Sequence, residues 1–259
     1  MTRTQMRLAL LALLWCTASP AIAADVSGVV HWAQRVELGL PVSGVIAEVH
    51  VQAGQSVDKD TELISLDARR FKSRVGRHQA EYRHAKALLD EAQREDERAI
   101  ELYDRTVLSD FERNQALIGL EAARARAQSA YAALLEARLD LEHSVIRAPF
   151  AGVVLAVDAA PGQSVVSELQ SKPLVTLADD RVYRVLARVD AAQAGALPPG
   201  AEIGATVRGK AIRSRVHHVG LEPVGQSGQE PRYELVAEIV TDAGHALRVG
   251  ETVILHLEP

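Results

Sequence analysis

The chain has 259 residues, of which 47% are hydrophobic, 24% charged and only 4% aromatic, and its formal net charge is −5. This length is enough for one or two compact modules together with an extended element. A mildly acidic chain without a block of basic residues does not favour binding to nucleic acid or to an anionic lipid surface.

Residues 1–23 are typical of a cleaved secretory signal peptide. Arg3 and Arg7 precede a short apolar core, and Ala21–Ala23 forms an A-x-A cleavage site. An apolar core of about eight residues is too short to span a bilayer, which disfavours an uncleaved anchor. We therefore expect a soluble, exported mature protein.

The single cysteine, Cys16, lies inside the predicted signal peptide. Lipid modification of Cys16 is the alternative, although the bulky Trp15 before it is unlike the small residue that such processing sites use. After cleavage the chain would contain no cysteine, which excludes disulfides, thiolate metal sites and cysteine nucleophiles.

Two stretches, residues 41–57 and 149–165, are copies of one short β-pattern. Shifted by 108 residues, they share 8 identities in 17 positions without a gap. The identical residues of the first copy are Pro41, Gly44, Val45, Val49, Gly54, Gln55, Ser56 and Val57. Each copy is too short to bury a core alone, so residues 41–67 and 146–179 are predicted to pair as two halves of one β-sandwich.

Four glycines of this repeat carry specific expectations. Gly44 and Gly152 suit tight turns, whereas Gly54 and Gly162 suit backbone positions with positive φ. Two unrelated hairpins with glycine turns are the alternative to a true repeat.

Residues 68–145, between the two copies, are predicted to form a long antiparallel helical hairpin with its tip at about residues 104–109. Apolar residues recur at alternating spacings of four and three, the pattern of a coiled-coil seam. In the first arm only His78 and Asp96 break this apolar pattern, and the seam positions are Phe71, Val75, His78, Tyr82, Ala85, Leu89, Ala92, Asp96, Ala99 and Tyr103. The second arm carries Ala116, Leu120, Ala123, Ala127, Ala130, Leu134, Ala137 and Leu141. Each arm would be on the order of 50 Å long, so the hairpin could bridge a distance but would not form a catalytic pocket.

From Asp180 on, the chain is again rich in β-patterns. Proline and glycine separate five alternating runs: Val182–Val189, Ala201–Val207, Ala211–Val219, Tyr233–Val240 and Val253–Leu257. Residues 180–259 are predicted to form a small β-barrel, to which residues 24–40 contribute one or two N-terminal strands.

This order of elements resembles the periplasmic adaptor proteins (membrane fusion proteins) of Gram-negative efflux systems. The motif PxSGxIxxVxVxxGQxV in the first copy, and RAPFxGxV with PGQxV in the second, carry the resemblance, which extends from about Val26 to Leu257. It implies an elongated α+β multidomain fold. The expected parts are a split lipoyl-like β-sandwich, an inserted antiparallel α-helical coiled-coil hairpin and a small β-barrel.

The tip of the hairpin carries a second resemblance. Adaptors of resistance-nodulation-division (RND) pumps have an Arg-x3-Leu-x6-Ser pattern there, and in this chain the matching residues are Arg98, Leu102 and Ser109. The resemblance implies that these residues dock on an outer-membrane channel. Arg98 and Leu102 are one helical turn apart and present a charge and an apolar side chain on one face. Ser109 also opens a capping-box sequence with Glu112, which predicts that it starts the second helix.

Neither of two cofactor chemistries known in related proteins is favoured. Lipoyl and biotinyl domains carry their cofactor on a lysine at an exposed turn, but no lysine occurs between Ala148 and Ser171, and Lys172 lies in a departing loop. Some adaptors of heavy-metal pumps bind Cu or Ag through methionines, and the only two methionines here, Met1 and Met6, belong to the predicted signal peptide.

The histidines do not predict a metal site. His217 and His218 are adjacent in a predicted strand, so they are expected to point to opposite faces. The other histidines show no ligand spacing: His31, His50, His78, His84, His143, His245 and His256. We predict no cofactor, no metal site and no catalytic residue.

The resemblance implies a periplasmic, non-enzymatic subunit that links an inner-membrane RND transporter to an outer-membrane channel protein. It also implies assembly into a homo-oligomeric ring of six copies. Two alternatives stay open: an adaptor of an ABC-type or type I export system, and a periplasmic coiled-coil scaffold with another partner. A membrane-proximal domain, usual in RND adaptors, is not evident in the sequence, which therefore does not indicate how the barrel contacts the pump.

Overall fold

The computed structural model describes residues 24–257, except 168–171, 225–229 and 242–246. The predicted signal peptide with Cys16, and also His245, lie outside the described residues. The chain divides into two compact units. One combines the residues up to Gln34 with those from Asp180 on, and the other is Arg35–Asp179.

Strands and two long helices make up most of the described chain. The strands are β1 (Ala24–Trp32), β2 (Arg35–Leu38), β3 (Gly44–Val49), β4 (Ser56–Val57), β5 (Glu62–Leu66), β6 (Val145–Arg147), β7 (Gly152–Val157), β8 (Ser164–Val165), β9 (Val175–Ala178), β10 (Val182–Val189), β11 (Glu202–Val207), β12 (Lys210–Pro223), β13 (Tyr233–Val240) and β14 (Thr252–Leu257). The helices are α1 (Arg69–Asp104), α2 (Asp110–Glu142) and α3 (Ala191–Ala196). The α+β class and the predicted parts are confirmed. The short helix α3 was not predicted.

Six strands of the first unit close into a barrel in the order β1-β10-β13-β12-β11-β14. In β10 alternate residues point inward, and Tyr183, Val185 and Val189 are fully buried. The ring of Tyr183 stacks on that of Trp32 with 5.3 Å between the centroids. The barrel interior is therefore filled by packed side chains.

The expected barrel segment 24–40 divides between the two units, so its assignment to the barrel was wrong from Arg35 on. Only β1 joins the barrel, whereas β2 pairs antiparallel with β9 in the sandwich. Leu40, which follows β2, is buried in the sandwich core. The alternation of apolar and polar residues cannot show that the chain passes from the barrel to the sandwich here, because β1 and β2 have the same pattern and differ only in the strand with which each pairs.

The sandwich has two four-stranded sheets, β2-β9-β7-β4 and β6-β5-β3-β8. The sequence repeat appears as a two-fold exchange of strands. Gly44 and Val45 of β3 pair with Val165 and Ser164 of β8. At the equivalent positions of the other copy, β7 pairs with β4 through Gly152–Val57 and Val153–Ser56. The two copies therefore complete each other's sheets, which explains why neither could form a core alone.

The repeat glycines serve two different purposes. Gly54 and Gly162 have φ of 87° and 85°, as expected for glycine positions in the left-handed region. Gly44 and Gly152 have no positive φ and begin strands, so the expectation of tight turns was wrong. A Cβ on Gly152 would lie 2.1 Å from the carbonyl oxygen of Ala178, which means that close backbone approach requires this glycine.

Helices α1 and α2 form the predicted antiparallel hairpin inserted between β5 and β6. The predicted seam is its inner face, because all its members except Tyr103 are buried or half-buried. The side chains of Arg74 and Asp140 form an ion pair between the arms at the base. Within the described chain, neither these helices nor α3 have the long apolar stretch needed to cross a membrane.

Candidate functional site

The turn at the tip of the hairpin begins with a Schellman motif at the end of α1. The Thr106 N–H donates to the Tyr103 carbonyl at 2.8 Å, and the Val107 N–H donates to the Leu102 carbonyl at 2.9 Å. Thr106 has φ of 60°, a left-handed conformation that glycine normally supplies. The carbonyls of Leu102 and Tyr103 are thereby satisfied within the turn.

A capping box starts α2, as the sequence predicted. The Ser109 hydroxyl accepts from the Glu112 N–H at 3.4 Å, and the Glu112 carboxylate accepts from the Ser109 N–H at 2.9 Å and from its hydroxyl at 2.8 Å. These bonds, the backbone one first, lower the pKa of Glu112 below its ordinary value. The Ser109 hydroxyl is thus already engaged in the cap.

The structure brings two of the three predicted docking residues together. Arg98 and Leu102 line one groove of about 470 Å³ on the hairpin near the tip, and Ser109 does not line it. The Arg98 guanidinium donates to Glu95 at 2.7 Å, with both side chains more than half exposed. The groove therefore presents a solvated ion pair beside an apolar side chain.

Sequence reasoning missed the contribution of α2 to this groove. Its floor consists of small residues from both arms, and its apolar rim includes Leu108 and Phe111. Phe111 is 76% exposed, the most exposed aromatic residue of the hairpin. Its position off the four–three seam, two residues after the capping serine, was a signal that could have identified it. The floor residues are Ala92, Ala99, Ala116 and Gly119.

One side chain links the two helix ends of the tip. The pKa of Tyr103, the last seam residue of α1, is raised above its ordinary value, chiefly by the carboxylate of Asp110 at the start of α2. The Arg113 guanidinium lies 5.3 Å from the centroid of the Tyr103 ring, a cation–π distance. Both Asp110 and Arg113 belong to the first turns of α2.

The expectation that His217 and His218 point to opposite faces was wrong. A β-bulge between Val216 and His218 exposes both side chains, and their rings lie 5.2 Å apart. The bulge adds one residue to the strand, which places neighbours on the same side. Even so, no group of three or more potential ligands among His, Cys, Asp and Glu gathers anywhere in the described residues.

Both ring nitrogens of His256 have polar partners on neighbouring strands of the barrel. Its Nδ1 lies 2.6 Å from an Asp25 carboxylate oxygen, and its Nε2 lies 2.8 Å from the Thr206 hydroxyl. These three residues belong to β1, β14 and β11, so the contacts join three neighbouring strands on the outer face of the closed barrel.

The split sandwich, the inserted hairpin and the closed barrel define the architecture of the membrane fusion proteins. Residues 20–179 match the family model described as CzcB-like, barrel-sandwich hybrid domain. Because this match covers more than half of the chain, the protein belongs to that family. The resemblance to the periplasmic adaptors is therefore confirmed.

Named relatives agree with this assignment. Over 192 residues the chain is 28% identical to the macrolide export protein MacA of Escherichia coli O157:H7, a match covering 68% of this chain and 51% of MacA. The chain thus spans about half the length of this curated relative. Among solved structures, the fold is similar to that of a putative efflux transporter from Bacteroides eggerthii, with a TM-score of 0.68 and 22% identity over 90% of this chain and 68% of the other.

A second solved structure shares the fold. It is a chimera of MacA that contains the α-hairpin domain of Pseudomonas aeruginosa MexA, with a TM-score of 0.63 and 21% identity over 91% of this chain and 81% of the chimera. At this level of identity the likeness concerns the fold alone.

Proposed function

We propose that this protein is the periplasmic adaptor subunit of a tripartite efflux pump. In this role it joins an inner-membrane transporter to an outer-membrane channel and catalyses no reaction itself. The observation that carries the proposal is the tip of the hairpin, where a groove opens beside a turn that is capped on both sides. The family membership and the relatives, several of which are named as export or efflux proteins, support the same role.

The hairpin is suited to bridging a distance. At 1.5 Å per residue, α1 spans about 54 Å from the sandwich to the turn. The base of α1 is anchored because Phe71 is buried in the sandwich core. A docking contact at the tip is thereby held far from the sandwich by a continuous helical pair.

The chemistry of the tip suits another helical end as the partner. The small residues of the groove floor permit close approach of a helix, and Leu102, Leu108 and Phe111 supply apolar contact area. Arg98 adds a cation, and its ion pair with Glu95 is solvent-exposed. We assign this contact to the outer-membrane channel, with Arg98 and Leu102 as contacts and Ser109 as the residue that fixes the turn.

An RND-type transporter is the first candidate for the inner-membrane partner, and the spacing of Arg98, Leu102 and Ser109 is the observation in its favour. The second candidate is an ABC-type export system, which the 28% identity to a macrolide export protein favours. Purification of the crosslinked assembly described below would identify the transporter and decide between them.

Assembly into a ring of six copies is part of the proposal. Tyr131, Leu135 and Leu139 recur every four residues on α2 and are exposed, so they form an apolar stripe that does not belong to the seam. Packing of this stripe against a neighbouring copy would bury it. Many weak contacts repeated around a ring would then supply affinity through avidity.

The test is an in vivo photocrosslink from a benzoylphenylalanine at Leu102, with the partners identified by mass spectrometry. An outer-membrane channel in the product supports the proposal. Self-crosslinks alone, or an unrelated periplasmic protein, would favour the scaffold alternative.

Charge reversal at Arg98 provides a second arm of this test. Arg98→Asp should abolish export and leave thermal unfolding unchanged, because the side chain is solvated. The matched control is Arg124→Asp, since Arg124 is half-exposed and pairs with Glu121 three residues away, as Arg98 does with Glu95, but does not line the groove. Equal loss of export in both variants, or unfolding of the Arg98 variant, would contradict the docking role.

A further inference from the structure

A second set of residues with four–three spacing runs along α1, each member one residue after a member of the seam. Because of this spacing the residues share one face of the helix, which we call the charged stripe. All members are exposed except Gln79, which is half-buried and accepts a hydrogen bond from Arg138 at 2.8 Å. The members are Lys72, Gly76, Gln79, Arg83, Lys86, Asp90, Gln93, Glu97, Ile100 and Asp104.

The charges of this stripe are separated by sign. Every charged member up to Lys86 is a cation, and every charged member from Asp90 on is an acid. This order opposes the helix dipole, which favours acids in the first turn of a helix and cations in the last. The first turn of α1 contains no acid, and its last turn contains no cation. The stability of α1 itself therefore does not account for the distribution.

The hairpin does not neutralise the stripe internally. Among the described residues, the ion pairs within α1 and between α1 and α2 use side chains outside the stripe. These pairs are Arg74–Asp140, Arg77–Glu81, His78–Glu81, Arg94–Glu91 and Arg98–Glu95. The cations and acids of the stripe are therefore available to a partner.

The stripe is complementary to a second copy of itself that runs in the opposite direction. Such a pairing places the first member of one stripe opposite the last member of the other, and so on inward. Lys72 then faces Asp104 of the second copy, and Lys86 faces its Asp90. Opposite charges therefore meet near both ends and at the centre of the pair.

The uncharged members fit the same arrangement, because Gly76 is then opposite Ile100 of the second copy. A Cβ on Gly76 would meet no atom within 4 Å, so packing within the chain does not require glycine there. Glycine inside a helix weakens it. Ile100 is 40% exposed, and its side chain could occupy the space that the missing Cβ leaves.

We propose that the charged stripe is a self-association surface, through which two copies of this protein pair their hairpins in antiparallel orientation. The tip of each hairpin then lies beside the base of the other. The two tips point in opposite directions, so this pair is a different assembly from the ring of six copies. The inference does not rest on the proposed adaptor function.

The first measurement is sedimentation equilibrium of the purified mature protein. Raising the ionic strength from about 0.1 M to about 1 M shortens the Debye length from about 10 Å to about 3 Å, so the dissociation constant of the pair should rise about ten-fold. Lys72→Glu places like charges at both ends of the pair and should cause a rise of at least about ten-fold. Arg70→Glu is the matched control, because Arg70 is exposed in the same turn of α1 but outside the stripe. Its dissociation constant should change less than about two-fold.

A second substitution tests whether the contact is between copies. Asp104→Lys alone should weaken pairing as Lys72→Glu does, whereas the two substitutions in one chain should restore it, since the two sites again carry opposite charges. Within one chain these sites are about 48 Å apart along the helix. Only a contact between two copies can therefore couple them. Thermal unfolding should be unchanged in all these variants, because both side chains are exposed.

Disulfide formation reports the orientation. The single cysteine of the chain, Cys16, lies in the predicted signal peptide, so introduced cysteines would be the only thiols of the mature protein. Gly76→Cys and Ile100→Cys proteins are purified separately, mixed and oxidised. In an antiparallel pair the disulfide between the two different sites should exceed its statistical share.

The three measurements decide the proposal together. Salt-sensitive pairing that Lys72→Glu weakens and Asp104→Lys restores, with an excess of the mixed disulfide, supports it. A monomer at every concentration, or pairing that neither salt nor Lys72→Glu weakens, overturns it. Failure of the double variant to pair, or a preference for disulfides between identical sites, overturns the antiparallel contact. Because purified protein is used throughout, none of these outcomes depends on whether the protein docks on a channel.

Discussion

The base and the tip of the helical hairpin keep their shapes by different means. At the base, Phe71 is only 4% exposed and belongs to the sandwich core, and Leu141 packs against the same core. At the tip, Val107 and Phe111 are 69% and 76% exposed, and the turn is held by caps and by the contact of the Arg113 guanidinium with the Tyr103 ring.

The two ends of the hairpin therefore depend on different kinds of interaction. Burial of apolar area contributes most of the stability at the base, whereas directional bonds with small individual energies set the geometry of the tip. Substitutions at the base should therefore change global stability. Substitutions at the tip should change local order and leave the fold intact.

The largest expected effect is at the base. Phe71→Ala should lower the free energy of unfolding by about 3–5 kcal/mol, because it removes a buried aromatic ring and leaves a cavity in the sandwich core. Urea denaturation followed by circular dichroism measures this change. The control is Phe111→Ala at the tip, which should leave the midpoint unchanged. Similar losses in the two variants would refute the contrast between base and tip.

A cap at the tip should have a smaller, local effect. Ser109→Ala removes the acceptor for the Glu112 N–H and should reduce the stability of the first turn of α2 by about 1 kcal/mol. Amide hydrogen exchange measures it, with faster exchange at Glu112 and Arg113 and no change in the sandwich amides. Uniformly faster exchange across the sandwich would mean that the tip and the base unfold together.

Thr106 offers a change in the opposite direction. Thr106→Gly places glycine at the left-handed position and should stabilise the tip by about 0.5–1 kcal/mol, since relief of strain exceeds the extra entropy of the unfolded glycine. Slower exchange of the Val107 amide, which donates to Leu102, would demonstrate the gain. Faster exchange there would indicate that the threonine side chain itself stabilises the turn.

The smallest expected effect depends on pH. Because hydrogen bonds from Ser109 lower the pKa of folded Glu112, its contribution to the cap is complete above its ordinary value of 4.5 and is lost as the pH falls through the lower folded value. Protection factors of the Ser109 amide should decrease over that acid range. Glu112→Gln should remove this dependence, and a parent-like pH profile in that variant would exclude Glu112 as its source.

Local and periodic features of the molecule were predictable from the sequence. The four–three spacing located the seam of α1 and α2, the 108-residue repeat located the paired halves of the sandwich, and Ser109 with Glu112 indicated a cap. Each depends on residues close in the sequence or on copies of one pattern, so no knowledge of tertiary contacts was needed.

Features that depend on unpredicted partners were not predictable. Membership of β2 in the sandwich depends on β9, about 140 residues later. The bulge that exposes His217 and His218 depends on the register with β13. The rim of the groove and the contact between Tyr103 and Arg113 arise only once α1 and α2 are aligned across the turn, because Phe111 and Arg113 lie outside the seam.

The exchange of strands in the sandwich has a consequence for a broken chain. Since β8 completes the sheet of β3, and β4 completes that of β7, the two halves are held together by strand pairing on both sides of the module. Proteolytic cleavage between Arg105 and Thr106 would give two fragments that stay associated through both sheets and the helical seam. The covalent connection through the hairpin is thus not what keeps the two halves of the sandwich together. The two fragments, produced separately, should therefore assemble by complementation.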